Sequence, residues 1–353
     1  MSSNTQVRFK SPVRDDLLFN HLHGAEEIGK PFLYELTFFS TNEALVPSEL
    51  LGKPVSIEMD LPESSLLPTG GHRYFHGYVA RLARQGRHRS FHVYTASVRP
   101  WLWLLSRAKD CRIFQNKTVP EIIKEVFRKH GLTDFEERLV EPHARREYVV
   151  QYHETDLDFV TRLMVQAGMY YFFRHEATKH VLVLADSFSS YKKVPGYQQV
   201  LFDTRQNEGV DLIERIDDWH AQQEIRSGSV VLEAFDFEKP KADLLSKRTD
   251  PNDHEKADLE VYEYPGKYID QADGEVLAKL RLEEINALHD VRTGGGSVRG
   301  LAAGSIFSLV PPWQYPGFKS AATTVASMTE GSHESMLPPD EFREYLWSSA
   351  TAL

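Results

Sequence analysis

Four histidines, His72, His76, His88 and His92, fall as two pairs at four-residue spacing in two β-like stretches of a 353-residue chain. That spacing stacks side chains on one face of a strand. Imidazoles facing each other across two strands can do chemistry, because neutral histidine ligates zinc or copper. "RYFHGYVARL" (73–82) and "SFHVYTAS" (90–97) read as the strands, and the polar "RQGRHR" as their connection. Putting Phe75 and Val79 in one core with Phe91 and Val93 demands an antiparallel hairpin with an odd-numbered loop. That register points all four histidines away from the core. Directly opposed Cβ atoms lie about 4.5–5.5 Å apart and His72 and His76 are two pleats apart, so at most three rings can reach one ion. The group reads as a polar surface facing solvent or a partner, and no metal ligand is assigned.

A second stretch, "YHETDLDFVTRLMVQAGMYYFF" (152–173), crowds three acids, a histidine and four consecutive aromatics together. An active site with an aromatic pocket is one reading. The other is architectural. Thr155 suits a helix N-cap and Asp158 its third helical position, where the two side chains satisfy orphan N–H groups reciprocally. Asp156 and Asp158 sit at the positive end of the helix dipole. Phe159, Val160, Leu163, Met164 and Ala167 form one apolar face, Gly168 ends the helix, and "MYYFFR" continues as a strand. The acids then cap, and only His153 and Glu154 lack a role. Elsewhere, "TGGGSVRG" has neither Walker spacing nor a strand–Gly–helix context, and there is no GxSxG or HExxH. Cys111, the only cysteine, lies at a strand start in "KDCRIF" and is expected to pack rather than react. No catalytic or cofactor-binding residue is assigned.

The elements around these residues are mostly strands. "FLYELTFFS" (32–40) and "KPVSIEM" (53–59) join the hairpin in a small antiparallel barrel or sandwich. "TVPEIIKEVFRKHG" has Thr118 and Glu121 as a capping box, Pro120 in the first turn and Gly131 at the C′ position. After the turn "HEATKH" comes "VLVLAD" (181–186). "SGSVVLEAFDF" (227–237) is a strand, followed by the polar "EKPKADLLSKRTDPNDHEKAD", read as an exposed loop. Then come "LEVYEYPGKYID", a helix over roughly 274–289 capped by Asp273, and "SVRGLAAGSIFSLV", a turn into a strand. Residues 311–340 are proline-rich and aperiodic, and read as a surface insertion. "REYLWSSATAL" closes the chain as a strand.

Composition sets the outer bounds. The length implies two or three domains, and 41% hydrophobic with 26% charged residues suits folded cores. No apolar run approaches a membrane span, the first residues lack a secretory apolar region, and one cysteine allows no intrachain disulfide. A net charge of −10 argues against wholesale nucleic-acid binding. Residues 71–117 nevertheless hold ten Lys or Arg against one acid, Asp110, leaving about −19 for the rest. This basic stretch is either a contact surface for an acidic partner or is paired inside the fold. Its aromatics, Tyr74, Phe75, Tyr78, Phe91, Tyr94, Trp101 and Trp103, could stack on single-stranded nucleic acid, but most are needed for the core.

Several of these segments in order resemble VgrG proteins, the valine-glycine-repeat spike of bacterial type VI secretion. They are "YHETDLDFVTRLMVQAGMYYFF", "FHGYVARLARQGRHRSFHVYTASVRPWLWLLSRAKDCRIFQNKTVPEII", "LEVYEYPGKYID" and "SVRGLAAGSIFSL". The likeness runs from about residue 8 to 310 and resumes at "REYLWSSATAL". It implies the N-terminal, phage-tail-hub-like region: a β-rich α+β chain with two antiparallel β-barrel domains and a smaller α/β region between them. The corresponding division is 1–110, 111–220 with the helix-plus-hairpin unit, and 221–353 with the insertion at about 311–340. It further implies a homotrimer whose six barrels form a pseudo-sixfold base for the hexameric Hcp tube, joined to baseplate components. Effectors or a tip protein would attach through a C-terminal part this chain lacks, because it stops where the family enters an oligonucleotide-binding-type barrel and then a triple-stranded β-helix needle. Enzymatic activity in that family belongs to such extensions, so a structural protein is expected, without cofactor or nucleic acid. Only the assembled spike would touch a target membrane, after cytoplasmic assembly and export without a signal peptide. The alternative is the related hub of a contractile phage tail or phage-derived particle; a metal- or nucleic-acid-binding module is more distant.

Overall fold

The computed structural model describes residues 7–11, 17–41, 45–62, 70–204, 213–266, 268–311, 344–347 and 349–352. The chain divides into two compact units, Met1–Arg215 with Ser297–Leu353, and Ile216–Gly296. It is β-rich with helices interspersed. The first unit begins with strands β1 (Val7–Lys10), β2 (Leu17–Glu27), β3 (Lys30–Ser40), β4 (Pro54–Leu61), β5 (Gly71–His88) and β6 (Phe91–Arg99). They form an antiparallel sheet in the order β1–β4–β5–β6–β3–β2. Strand alternation explains β3, where Phe32, Tyr34, Leu36 and Phe38 are all buried on a period of two.

The β5–β6 hairpin differs from the expected one. Its polar "RQGRHR" belongs almost wholly to β5, and the turn is only Arg89 and Ser90, with Arg89 at φ 52°. Two bulges, between Val79 and Arg81 and between Arg84 and Gly86, each shift the register. Each bulge inserts one residue and flips the side chains beyond it, and the two-residue turn fixes its own parity. Tyr94, Ala96 and Val98 therefore enter the core, whereas Phe91 and Val93 are only half-buried.

Next come β7 (Lys109–Lys117), β8 (Phe135–Arg138), β9 (Arg146–Thr155), β10 (Tyr170–His175) and β11 (His180–Ala185). After the single turns α1 (Pro47–Leu50) and α2 (Trp101–Leu104), the longer helices here are α3 (Val119–Lys129) and α4 (Asp156–Gln166). β7 and β9 form a two-stranded antiparallel ribbon; β10 and β11 form a hairpin joined by β8. Both bonds of the Thr118–Glu121 capping box are present, and Gly131 takes φ 68°. Thr155 caps α4 by accepting from the Asp158 amide at 3.0 Å. The reciprocal half differs: the Asp158 carboxylate accepts from the Thr155 hydroxyl at 2.6 Å instead of from a backbone N–H. The core of this unit joins Phe32, Phe38 and Val98 of the sheet to Phe127, Phe159, Tyr171, Phe173 and Leu182. The aromatic run thus packs, as the architectural reading expected. Cys111 does not: it is exposed, because β7 turns that face outward.

Further along lie β12 (Lys192–Lys193) and β13 (Gln199–Phe202), followed by the second unit with β14 (Arg215–Gln223), β15 (Ser229–Glu233), β16 (Leu245–Thr249), β17 (Glu260–Glu263), helix α5 (Gln271–Asn286) and β18 (Asp290–Gly296). α5 packs Ala278 and Leu282 on Val230, Leu232 and Tyr268. It starts earlier than expected, with Asp270 as N-cap accepting from the Ala272 amide, so Asp273 sits in the first turn. Gly274 is not a helix starter but a point of close approach, where a Cβ would lie 2.5 Å from the Tyr268 ring. The supposed loop contains β16, paired antiparallel with β15. Its sequence, "LSKRT", buries only Ser246, so no apolar alternation announces it. Gly294, Gly295 and Gly296 of "TGGGSVRG" lie in β18, and a Cβ on Gly294 would come 2.7 Å from the Trp219 ring.

Back in the first unit, β19 (Ser305–Val310) runs parallel to β12 and β13. The segment expected as one closing strand is two: β20 (Glu344–Trp347) pairs with β19, and β21 (Ser349–Ala352) pairs with β2 as the seventh strand of the first sheet. The expected insertion lies outside the described residues beyond Pro311.

Candidate functional site

The corrected hairpin scatters the four histidines. His72 is exposed and meets Asp60 at 2.9 Å. His88 is exposed and stacks on Phe39 with centroids 5.9 Å apart. His92 is buried and accepts from Arg84 at 3.1 Å. His76 is buried against β11, where its Nδ1 is 2.9 Å from Nδ1 of His180. The expectation that all four share one outward face is therefore overturned, because the bulges and the cover given by β11 bury two of them. Among the described residues, Glu58, Asp60 and His72 come close enough to hold a cation. Arg8 already binds both carboxylates, Asp60 at 2.9 Å, and Lys10 binds Glu58. The Lys10 hydrogen bond leads in holding the Glu58 carboxyl below its ordinary range. The cluster is an ion-pair patch stitching β1 to β4 and β5.

His76 belongs instead to a chain of polar groups that sequence reading did not find. Glu26, 6% exposed, accepts from the Tyr34 hydroxyl at 2.7 Å and from Arg73 at 3.2 Å. Arg73 also donates to the Arg299 carbonyl at 2.9 Å. The Tyr34 oxygen lies 3.0 Å from His175 Nε2, and the His76 backbone N–H donates to His175 Nδ1 at 3.1 Å. His175 therefore keeps its proton on Nε2 and donates to Tyr34. The Trp101 backbone N–H donates to His180 Nε2 at 3.0 Å. His180 then carries its proton on Nδ1 and donates to His76 Nδ1, whose own proton is left on Nε2. Every ring is thereby fixed as a neutral tautomer. Burial holds His76 and His175 down at about 4 and pushes His180 well below its ordinary 6.5. Burial alone would raise Glu26; Arg73, His175 and the hydrogen bonds outweigh it and hold the carboxyl low. Both nitrogens of each ring are spent on protein partners. The arrangement clamps β2, β3, β5 and residues 299–303 to the β10–β11 hairpin, and offers no free base or nucleophile.

A second joint is built on Asp156. Its side chain is fully buried, and accepts from Arg112, from Gln151 at 2.7 Å and from His130 at 2.6 Å. Burial would raise this carboxyl, but Gln151, His130 and Arg112 together hold it below its ordinary range. Asp156 is thus more than the dipole partner that sequence spacing suggests: it ties the start of α4 to β7, β9 and the end of α3. Glu154 pairs with Arg162, and His153, at φ 51°, sets its ring edge-on to Tyr152 with centroids 4.5 Å apart. The basic stretch is partly paired inside the fold, Arg73 with Glu26, Arg112 with Asp156 and Lys117 with Glu125. Phe75, Tyr94 and Trp101 are buried, so they provide no platform for stacked bases. What stays outward is the ribbon face of β7 and β9, with Ile113, Tyr148 and Tyr152 exposed.

The sequence model of the phage tail baseplate hub family (GPD) matches residues 25–315. The type VI secretion system spike protein VgrG1a of Pseudomonas aeruginosa is 43% identical over 304 residues, covering 86% of this chain and 46% of that protein. The chain spans less than half the length of the first curated relatives it matches, 40–46%. Among solved structures, the E. coli c3393 protein, a type VI secretion component, superposes at TM-score 0.64 with 18% identity, over 98% of this chain and 72% of that one. A tail protein from Neisseria meningitidis superposes at 0.59 with 13% identity, over 87% and 86%. At these identities the superpositions speak for the fold.

Proposed function

The chain belongs to the phage tail baseplate hub family, and from that premise we propose that it is the structural hub module of a type VI secretion spike, with no catalysis of its own. The observation that carries this reading is the match of both sequence and fold along almost the whole chain. In this reading three copies assemble about an axis. The strand-rich parts, 1–110 and 221–353, act as two barrel-type modules flanking 111–220, so that a trimer presents six modules to the hexameric Hcp tube. Baseplate components hold the ring. Effectors or a tip ride on parts of the spike outside this chain, and the assembled spike leaves a cytoplasmic assembly site through its own machine. No helix among the described residues is long and apolar enough to cross a membrane.

The test is the native mass by light scattering, combined with capture of purified Hcp rings. A mass of about three times 40.5 kDa and co-elution with Hcp are expected. A strict monomer that ignores Hcp at high concentration refutes the hub reading. A phage-tail hub is the second reading, favoured by the family's description and by the Neisseria tail protein's fold. Neighbouring genes for capsid and lysis, in place of sheath and tube, would decide for it.

A further inference from the structure

His175 and His180 are register partners, the last pair before the turn of the β10–β11 hairpin, which the Glu176 amide closes on the Lys179 carbonyl at 2.8 Å. Each meets a backbone donor that regular structure leaves over. The β6 strand pairs with β5 only from Tyr78 onward, and the His76 N–H, short of that ladder, donates to His175 Nδ1. Trp101 opens α2, where the first N–H groups have no partner within the helix, and its N–H donates to His180 Nε2. The His76 ring accepts from His180 at Nδ1, and the Thr178 backbone in the turn bonds that ring as well. We propose that this closed end of the hairpin is an acid-released latch. A proton taken up by any one of His76, His175 and His180 sets two N–H donors against each other, so the three rings let go together and residues 175–180 leave the first sheet. The latch stands on this joint alone, whether or not copies of the chain assemble.

With the tautomers fixed, each ring has one nitrogen without hydrogen, and each of those three nitrogens already faces an N–H. A proton on His175 must enter at Nδ1, 3.1 Å from the His76 amide. A proton on His180 must enter at Nε2, 3.0 Å from the Trp101 amide. A proton on His76 enters at Nδ1 against the N–H of His180, 2.9 Å away. If His180 then shifts its own proton to Nε2, the conflict moves to Trp101. No ring can be charged without losing a bond that holds its neighbour, and release is therefore concerted. The surrounding charges do not rescue a cation. Glu26 on β2 favours charge on His175 and Asp134 favours it on His76. Arg73 on β5 opposes the first, and Lys179 pairs with Asp134 at 3.5 Å. Tyr34 on β3 and Tyr78 on β5 are held neutral, chiefly by burial. The latch covers Phe32, whose ring centroid is 5.0 Å from His175 and 5.3 Å from His180, and Trp101, which stacks on His180. Both are buried, so release uncovers an aromatic floor. Farther from the turn, Phe173 and Leu182 lie in the core and anchor the rest of the hairpin.

Open rings take up protons near the ordinary 6.5 and closed rings refuse them, so falling pH drives the opening. Amide hydrogen exchange of the 353-residue chain, corrected for the intrinsic effect of pH, reads that opening at the His76 and Trp101 amides. With three protons acting together, protection at both should fall in parallel by on the order of 10⁴-fold between pH 7 and pH 5, against about 25-fold for one independent ring. Phe172 and Val183, register partners deeper in the hairpin, should stay at least about tenfold better protected at each pH, because they exchange only through a larger opening. In His175→Gln the fall at Trp101 should shrink to about 600-fold, although the bond to Trp101 belongs to His180. Should that variant not fold, the wild-type amides decide alone. Falls of only about 25-fold at His76 and Trp101 overturn the concerted release. Equal protection of all four amides at every pH overturns the latch in favour of opening of the whole unit, and protection that ignores pH sinks it outright.

Discussion

Burial holds His76 and His175 down at about 4 in the folded chain against an ordinary 6.5, and holds His180 well below that ordinary value, because it disfavours their charged forms. Above pH 6.5 neither the folded nor the unfolded chain protonates them, and their contribution to stability is intact. As pH falls from 6.5 toward 4 the unfolded chain takes up these protons first, so stability falls. The slope approaches about 1.4 kcal/mol per pH unit for each histidine. Urea unfolding at pH 7, 6 and 5 should show this loss, and His76→Gln should flatten the slope by roughly a third. Tyr34→Phe removes one donor from buried Glu26 and should cost about 1–3 kcal/mol at pH 7. None of this was legible in the sequence. The bonds of the chain join residues 99, 104 and 141 positions apart, and a histidine's neighbours along the strand say nothing about partners at such distances. Asp156 was half legible: spacing placed it at a helix start, but its burial with Arg112, 44 positions away, required the fold.

Local rules worked where an element is specified by its own residues. The capping box at Thr118 and Glu121 and the left-handed Gly131 bound α3 as read, since each is a contact within a few positions. Thr118→Ala should lower stability by about 1 kcal/mol, measured by thermal or urea unfolding. The same rules failed where a neighbour overrides them. Two bulges in β5 inverted the facing of β6, and β16 carries no apolar alternation because its inward residue is Ser246. Gly274 shows how such overrides act. Alanine in a helix interior is favoured over glycine by about 1 kcal/mol, which alone would stabilise α5. Its Cβ, however, would sit 2.3 Å from Ser246 Oγ and 2.5 Å from the Tyr268 ring. Overpacking of that kind typically costs about 1–3 kcal/mol, so Gly274→Ala should lower the melting temperature of the second unit, as calorimetry can show.

At the scale of the whole molecule, the strand-rich, helix-poor character and the hub likeness were readable from several ordered segments. The way distant parts join was not. "REYLWSSATAL" looked like one strand, yet its halves pair with different partners, β20 with β19 and β21 with β2. Deleting residues 344–353 should therefore lower stability and also bare the β2 edge, an invitation to edge-to-edge pairing. The expected outcome is a lower melting temperature together with concentration-dependent aggregation by light scattering. Full-length behaviour from the truncated chain would mean that β21 is dispensable to the sheet.

The pairing of Gly24 with Ala352 also sets a timetable for biosynthesis. The β2 strand leaves the ribosome long before β21, its partner in the sheet. At about 5–20 residues per second, that edge waits on the order of 15–65 s before its final neighbour can reach it. During that interval a nascent hub on one ribosome can pair with another on the same message. That open edge is a route to pairing between neighbouring nascent chains, and the arrival of β21 closes it.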